Sequence, residues 1–172
     1  SLMCISSGFS QAFPLTAILP LNVMGVSNED VSNATTLLIN AINQSGMFVV
    51  IEQAKVNSVI EAQSFTIQGN TDESYATEIG KLLLAEWVII GSFSQVGLDY
   101  TISAKIVDIE SKQSIKMKNV SFTSLEDLTI SIDLLVNKLI DKDLTTESNS
   151  IPEITEEQSE TEVLESNFKK KC

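Results

Sequence analysis

The sequence predicts one α/β domain of mixed type, a sheet of about five strands with helices packed against it. Three observations predict it. Hydrophobic residues make up 43% of the 172 residues, enough for a core of domain size. Short β-branched apolar runs alternate with segments of helical periodicity through the first half. In the second half, strand-like stretches follow one another with only turn-length gaps, as in a meander. The expected order is strand, helix, strand, helix, helix, strand, strand, strand, helix.

Each element has its own signal. Thr16 to Leu21 is an apolar run expected to be a buried strand, broken by Gly25 and Ser27. Ser27-Asn-Glu-Asp30 has the pattern of a capping box, and the helix it opens carries Val31, Ala34, Leu38, Ala41 and Ile42 on one face until Ser45-Gly46. Met47 to Ile51 reads as a second buried strand, and Glu52 to Gln63 as a helix through Val56, Val59 and Ile60. After a polar loop, Asp72 caps a helix with Ala76, Ile79 and Leu83 inward. Gly80 on that same side predicts close packing against a strand. Trp87 to Phe93 is the third strand. Gly97 turns the chain, and Tyr100, Ile102, Ala104 and Ile106 alternate with Thr101, Ser103 and Lys105 in the fourth. Ser114 to Phe122 returns after a loop. Its apolar phase changes between Met117 and Val120, which predicts a β-bulge near Lys118-Asn119. Thr123-Ser-Leu-Glu126 is a second capping box, and it opens a last helix with Leu128, Ile132, Leu135 and Leu139 inward.

The ends differ from the middle in composition. Residues 1–12 are uncharged, apolar and rich in small residues, and close on Ser10-Gln11-Ala12. They read as the remnant of a secretory signal peptide or, alternatively, as an ordinary N-terminal segment. Lipidation at Cys4 is a further alternative, opposed by the bulky Met3 before it. Residues 13–144 hold the α/β domain. Residues 145–172 are dominated by Glu, Thr and Ser, and by composition form a disordered acidic tail. It reads either as a solvated spacer or as a carrier of a short binding motif around Ile151 to Ile154.

The ionisable inventory excludes several function classes. There are 11 basic residues against 23 acidic ones, and the net charge is −12. All the basic residues are Lys, and His is absent. A nucleic-acid binder neutralises phosphates with clustered cations and reads guanine chiefly through Arg, so nucleic acid is not an expected partner. Without His, and with both cysteines, Cys4 and Cys172, at the chain ends, Ser-His and Cys-His nucleophiles are closed, as is a Cys/His metal site. No GxSxG, GxxxxGK[ST] or GxGxxG pattern occurs. Asp108 and Glu110 lie close together but in a turn, while Glu29, Asp30, Asp127 and Asp133 sit at helix starts or on polar faces. Gly91 closes a strand without the following helix N-terminus that a phosphate site needs. The expectation is therefore no catalytic residue, no cofactor and no metal. No run reaches the roughly 20 apolar residues of a membrane-spanning helix. Phe65 and Ile67, apolar residues in the polar loop from Gln63 to Thr71, either fold back onto the sheet edge or form a partner-contact patch.

Taken in order, several segments resemble the CsgG family and the related TolB N-terminal domain. Ile18-Leu-Pro-Leu-Asn22 and Gly46-Met-Phe-Val-Val-Ile-Glu52 are similar to the family's opening strands. Ile60-Glu-Ala-Gln63, Ala76-Thr-Glu-Ile-Gly80-Lys-Leu-Leu and Val88-Ile-Ile-Gly91-Ser92 follow in the family's sequence of steps, and Tyr100 to Ile109 resembles its hairpin strand. The resemblance spans roughly residues 16–142. It implies an exported, periplasmic or outer-membrane-associated module without enzymatic activity, which binds an envelope protein partner and has self-association as a second mode. The family also contains the curli secretion channel and lipoprotein activators of cell-wall synthases, so a subunit of an oligomeric channel is the alternative it implies. The chain departs from the channel members in lacking long alternating insertions, and Gln53 stands where the family usually carries Arg.

Overall fold

Residues 12–63 and 72–141 are described by the structure, a computed structural model. The first apolar run is divided by Pro20, which has no N–H to give a ladder. Leu15–Ile18 (β1) and Asn22–Met24 (β2) are therefore separate strands, and both lie parallel to Trp87–Val96 (β4) along the same side. Val49–Val50 (β3) pairs in parallel with the outer side of β1. Asp99–Asp108 (β5) and Gln113–Phe122 (β6) complete an antiparallel meander with β4. The sheet order is β3-β1-β4-β5-β6, with β2 beside β4 beyond β1. The mixed α/β architecture is thus the expected one, with six strands.

Among the described residues, four helices cover the two faces. Asn28–Ser45 (α1) begins at Ser27, whose hydroxyl accepts the Asp30 N–H at 3.1 Å, and ends at Gly46 with φ 66°. Leu128–Ile140 (α4) packs beside it. Together they bury Val31, Leu38, Ile132 and Leu135 against Ile89, Phe93, Ile102 and Ile106. Gln53–Ala62 (α2) and Glu73–Leu83 (α3) cover the opposite face, burying Val56, Ile60, Ile79 and Leu83 against Val88, Ile90 and Val107. The period-two alternation along β4 distributes its apolar residues between these two cores. Phe93, Tyr100 and Phe122 stack with centroids 5.5 to 6.1 Å apart at the far end of the first core. On the other face, beyond α2 and α3, hydroxyl pairs replace alkyl packing, Ser92 with Ser103 at 2.8 Å and Thr101 with Ser121 at 3.0 Å.

Gly80 packs as the sequence implies. A Cβ there would lie 2.7 Å from Val88 Cγ2 and 2.5 Å from Ile109 Cδ1, so α3 sits on the sheet at glycine distance. Three expectations are corrected. The second strand is two residues at the end of the sheet, beside β1, with Val49 half exposed. The bulge lies at Ile115, where Lys116 opposes Ile106 but Ser114 opposes Val107. From Met117 to Phe122 the strand alternates without a slip, so Met117 faces away from Val120 and Phe122 and is exposed. The last helix is entered through a 3₁₀ turn, Leu125–Asp127, capped by Ser124 rather than Thr123.

Candidate interaction surface

The acidic residues singled out in the sequence are placed apart and solvated. Asp108 Oδ1 accepts the Ser111 backbone N–H at 2.7 Å, and Oδ2 accepts Trp87 Nε1–H at 3.2 Å. The Ser111 amide, more than the indole, holds its carboxyl below the ordinary 3.8. Glu110 is exposed in the adjoining turn. Asp72 is lowered for the same kind of reason, by Ser74 first through its hydroxyl at 2.6 Å and then through its backbone N–H at 3.1 Å, at the start of α3. Glu73 beside it meets Lys105 Nζ at 3.4 Å, tying that helix start to β5. Among the described residues, the buried polar side chains are Thr16, Thr77, Ser131 and Tyr75, whose phenol burial pushes above its ordinary value of 10, so none ionises in the working range. No group of three or more His, Cys, Asp or Glu among them converges as a metal site would require. Gly91 makes no cradle, because the space a Cβ would take is filled by the Ser103 carbonyl oxygen of the neighbouring strand.

The surface, by contrast, carries exposed apolar side chains in several places, three of them on the meander and the helix that follows it. At the β4–β5 turn, Val96 and Leu98 flank Gly97, which has φ 64° as the first residue of the two-residue loop. Leu98 is 83% exposed. Met24 at the end of β2 pairs with Ser94 in the same corner, and Gly25 after it lies against the Gln95 carbonyl. On β6, Ile115 and Met117 are 48% and 56% exposed. On α4, Ile130 and Leu134 are one turn apart on the solvent side. Phe65 and Ile67 lie outside the described residues, as do residues 1–11 and 142–172. Sequence reasoning overlooked the hairpin corner, although Val and Leu on either side of a turn glycine were a visible signal. A two-residue loop normally displays polar side chains.

These features define a class before a family: a three-layer α/β domain with two apolar cores, no buried Asp, Glu or Lys among the described residues, and an apolar-spotted exterior. The family model described as "Curli production assembly/transport component CsgG" matches residues 19–104, half of the chain, and the chain belongs to that family. No curated protein matches the sequence. Among solved structures, the chain is similar to lipoprotein GNA1162 from Neisseria meningitidis at 13% identity and a TM-score of 0.57, over 77% of this chain and 99% of that one. The LpoB C-terminal domain from Escherichia coli is 16% identical with a TM-score of 0.55, over 70% and 90% of the two chains. A PelC dodecamer from Paraburkholderia phytofirmans is 10% identical with a TM-score of 0.51, over 74% and 87%. At these identities the shared property is the fold. Among the described residues no helix is long and apolar enough to cross a membrane.

Proposed function

We propose that the protein is an exported, envelope-facing module of the CsgG type that works by binding another protein during assembly and performs no catalysis. The observation that carries this reading is the family match over residues 19–104. The chemistry of the described residues supports it, since no Asp, Glu or Lys side chain is buried and apolar side chains are displayed at the surface with them. Residues 1–12 act in this reading as the end of an export signal, and residues 145–172 as an acidic extension of the domain. Mild crosslinking in cell envelopes, followed by affinity purification, tests it. A discrete protein recovered in stoichiometric amount is expected, and recovery of none overturns the reading.

The PelC dodecamer supports a second reading, in which this chain forms a ring as a subunit of an outer-membrane channel. Light scattering of the purified protein separates the two. A large closed oligomer that conducts ions in a bilayer favours the ring, and a monomer or dimer without conductance removes it.

A further inference from the structure

The strand β6 ends the sheet. It is ten residues long, and among the described residues only β5 pairs with it, so its outer row of backbone N–H and C=O groups faces none of the described strands. An edge of that length is a template for another extended chain. Its side chains present two different rows. Lys116 and Lys118 point to the face of α1 and α4, in phase with the buried Val120 and Phe122. Met117, Asn119 and Ser121 point to the other face, beyond the reach of α2 and α3, and Ile115 bulges beside them. Lys116 Nζ donates to the Asp141 carbonyl at the end of α4, which fixes its ammonium at this rim. The strand holds no acidic residue, although the chain carries a net charge of −12.

We propose that the outer edge of β6 is a docking site for an extended segment of a partner protein that carries carboxylates at alternate positions, with apolar residues between them. The inference rests on the binding-module reading and adds the chemistry of the partner. In an added strand, directly opposite side chains lie about 5 Å away, so alternate carboxylates meet Lys116 and Lys118 while the intervening residues cover Met117. Backbone ladder bonds supply affinity and the charge row supplies selectivity. Edge lysines by themselves are a common guard against unwanted pairing, but a guard has no use for two large apolar side chains displayed on the same edge. A second copy of this chain is disfavoured in the register that sets Met117 against Met117. Antiparallel pairing of β6 with itself about Met117 sets Lys116 opposite Lys118 of the copy, and like charges directly opposite destabilise a pair.

The test uses the whole chain and three labelled peptides about eight residues long, an ordinary strand length. One alternates Glu with Val, one alternates Lys with Val, and one has the Glu and Val residues in two blocks. Fluorescence anisotropy should show the alternating Glu peptide binding at least about tenfold more tightly than the other two, with affinity falling as salt rises. Amide exchange should slow along Gln113–Phe122 when it binds. The double variant Lys116→Glu/Lys118→Glu should reverse the preference toward the Lys peptide, its fold being checked by circular dichroism. If it does not fold, Lys116→Gln/Lys118→Gln should abolish the preference. Equal binding of the three peptides, no binding, or binding without slowed exchange on β6 each overturn the proposal. So does a dimer in solution with protected β6 amides, which would make a second copy the occupant. If the peptides fail while crosslinking still captures an envelope partner, this inference falls and the binding-module reading stands.

Discussion

The substitution Gly91→Ala probes a close approach of two strands. A Cβ at residue 91 would stand 2.3 Å from the Ser103 carbonyl oxygen, 3.3 Å from its carbonyl carbon and 2.8 Å from Leu21 Cδ2. The leucine methyl can rotate away, but the carbonyl belongs to the β5 backbone and moves only with its strand. Reaching ordinary contact at 3.4 Å requires β5 to retreat by roughly 1 Å at the Gly91–Ala104 pair. Overpacking of this kind costs about 1–3 kcal/mol, and a weakened ladder hydrogen bond adds about 1 kcal/mol. The lower entropy of the unfolded alanine chain returns about 0.4–1 kcal/mol. The expected net loss is therefore about 1–3.5 kcal/mol, centred above 2. Gly97→Ala is the comparison. That glycine has open space around its Cβ position, and only its φ of 64° penalises a side chain, by about 1 kcal/mol. Urea unfolding followed by far-ultraviolet circular dichroism measures both. If Gly91→Ala is no more destabilising than Gly97→Ala, the strand contact does not set the cost and the reasoning fails.

Three further outcomes follow from local geometry. Ser27→Ala removes the acceptor of the Asp30 N–H and should cost about 1 kcal/mol in the same urea assay, with no change in the slope of the transition. Leu84→Gly should be neutral to stabilising, by up to about 1 kcal/mol, because Leu84 ends α3 at φ 55° with its side chain in solvent; a loss of stability would contradict this. Asp108 has a folded pKa below its unfolded value, so its stabilising effect is present above about pH 4 and fades as pH falls through the lower folded value. The gap in urea midpoint between the wild type and Asp108→Asn should accordingly narrow from about pH 6 to about pH 2.5, and a gap that widens on acidification would refute the assignment.

Much of this fold was legible because its signals are local. Ser27 and Asp72 cap the helices the sequence assigned to them, Gly46 ends the first, and the inward stripes of α1, α3 and α4 are those the periodicity picks out. What escaped depends on neighbours distant in sequence. Pro20 is plainly visible, but that the pieces on both sides of it pair with the same strand is decided some 70 residues later. The phase of β6 misled for a related reason. Ile115 and Met117 look like inward residues, and only the limited reach of α2 and α3 leaves them outside. The same cause hid the interaction surface, since apolar residues exposed by a missing cover have the same letters as apolar residues in a core. Phe65 and Ile67, the patch the sequence suggested, lie outside the described residues, and the exposed corner at Met24, Val96 and Leu98 was not anticipated.

The connectivity of β1 bears on the order in which the molecule assembles. From Trp87 to Ile140 the strands pair in succession and α4 packs back on β6, so the meander and α4 can form from short-range encounters. The segment from Leu15 to Met24 must instead travel back to the flank of β4, where the Leu15 N–H meets a carboxylate oxygen of Glu86. Tying on that N-terminal ribbon is the slow, entropically expensive closure of the molecule. Until it happens, β4 offers an unpaired strand edge to whatever is nearby, so refolding yield should drop steeply with protein concentration when the ribbon is shortened and hardly at all when α2 is trimmed at its exposed end.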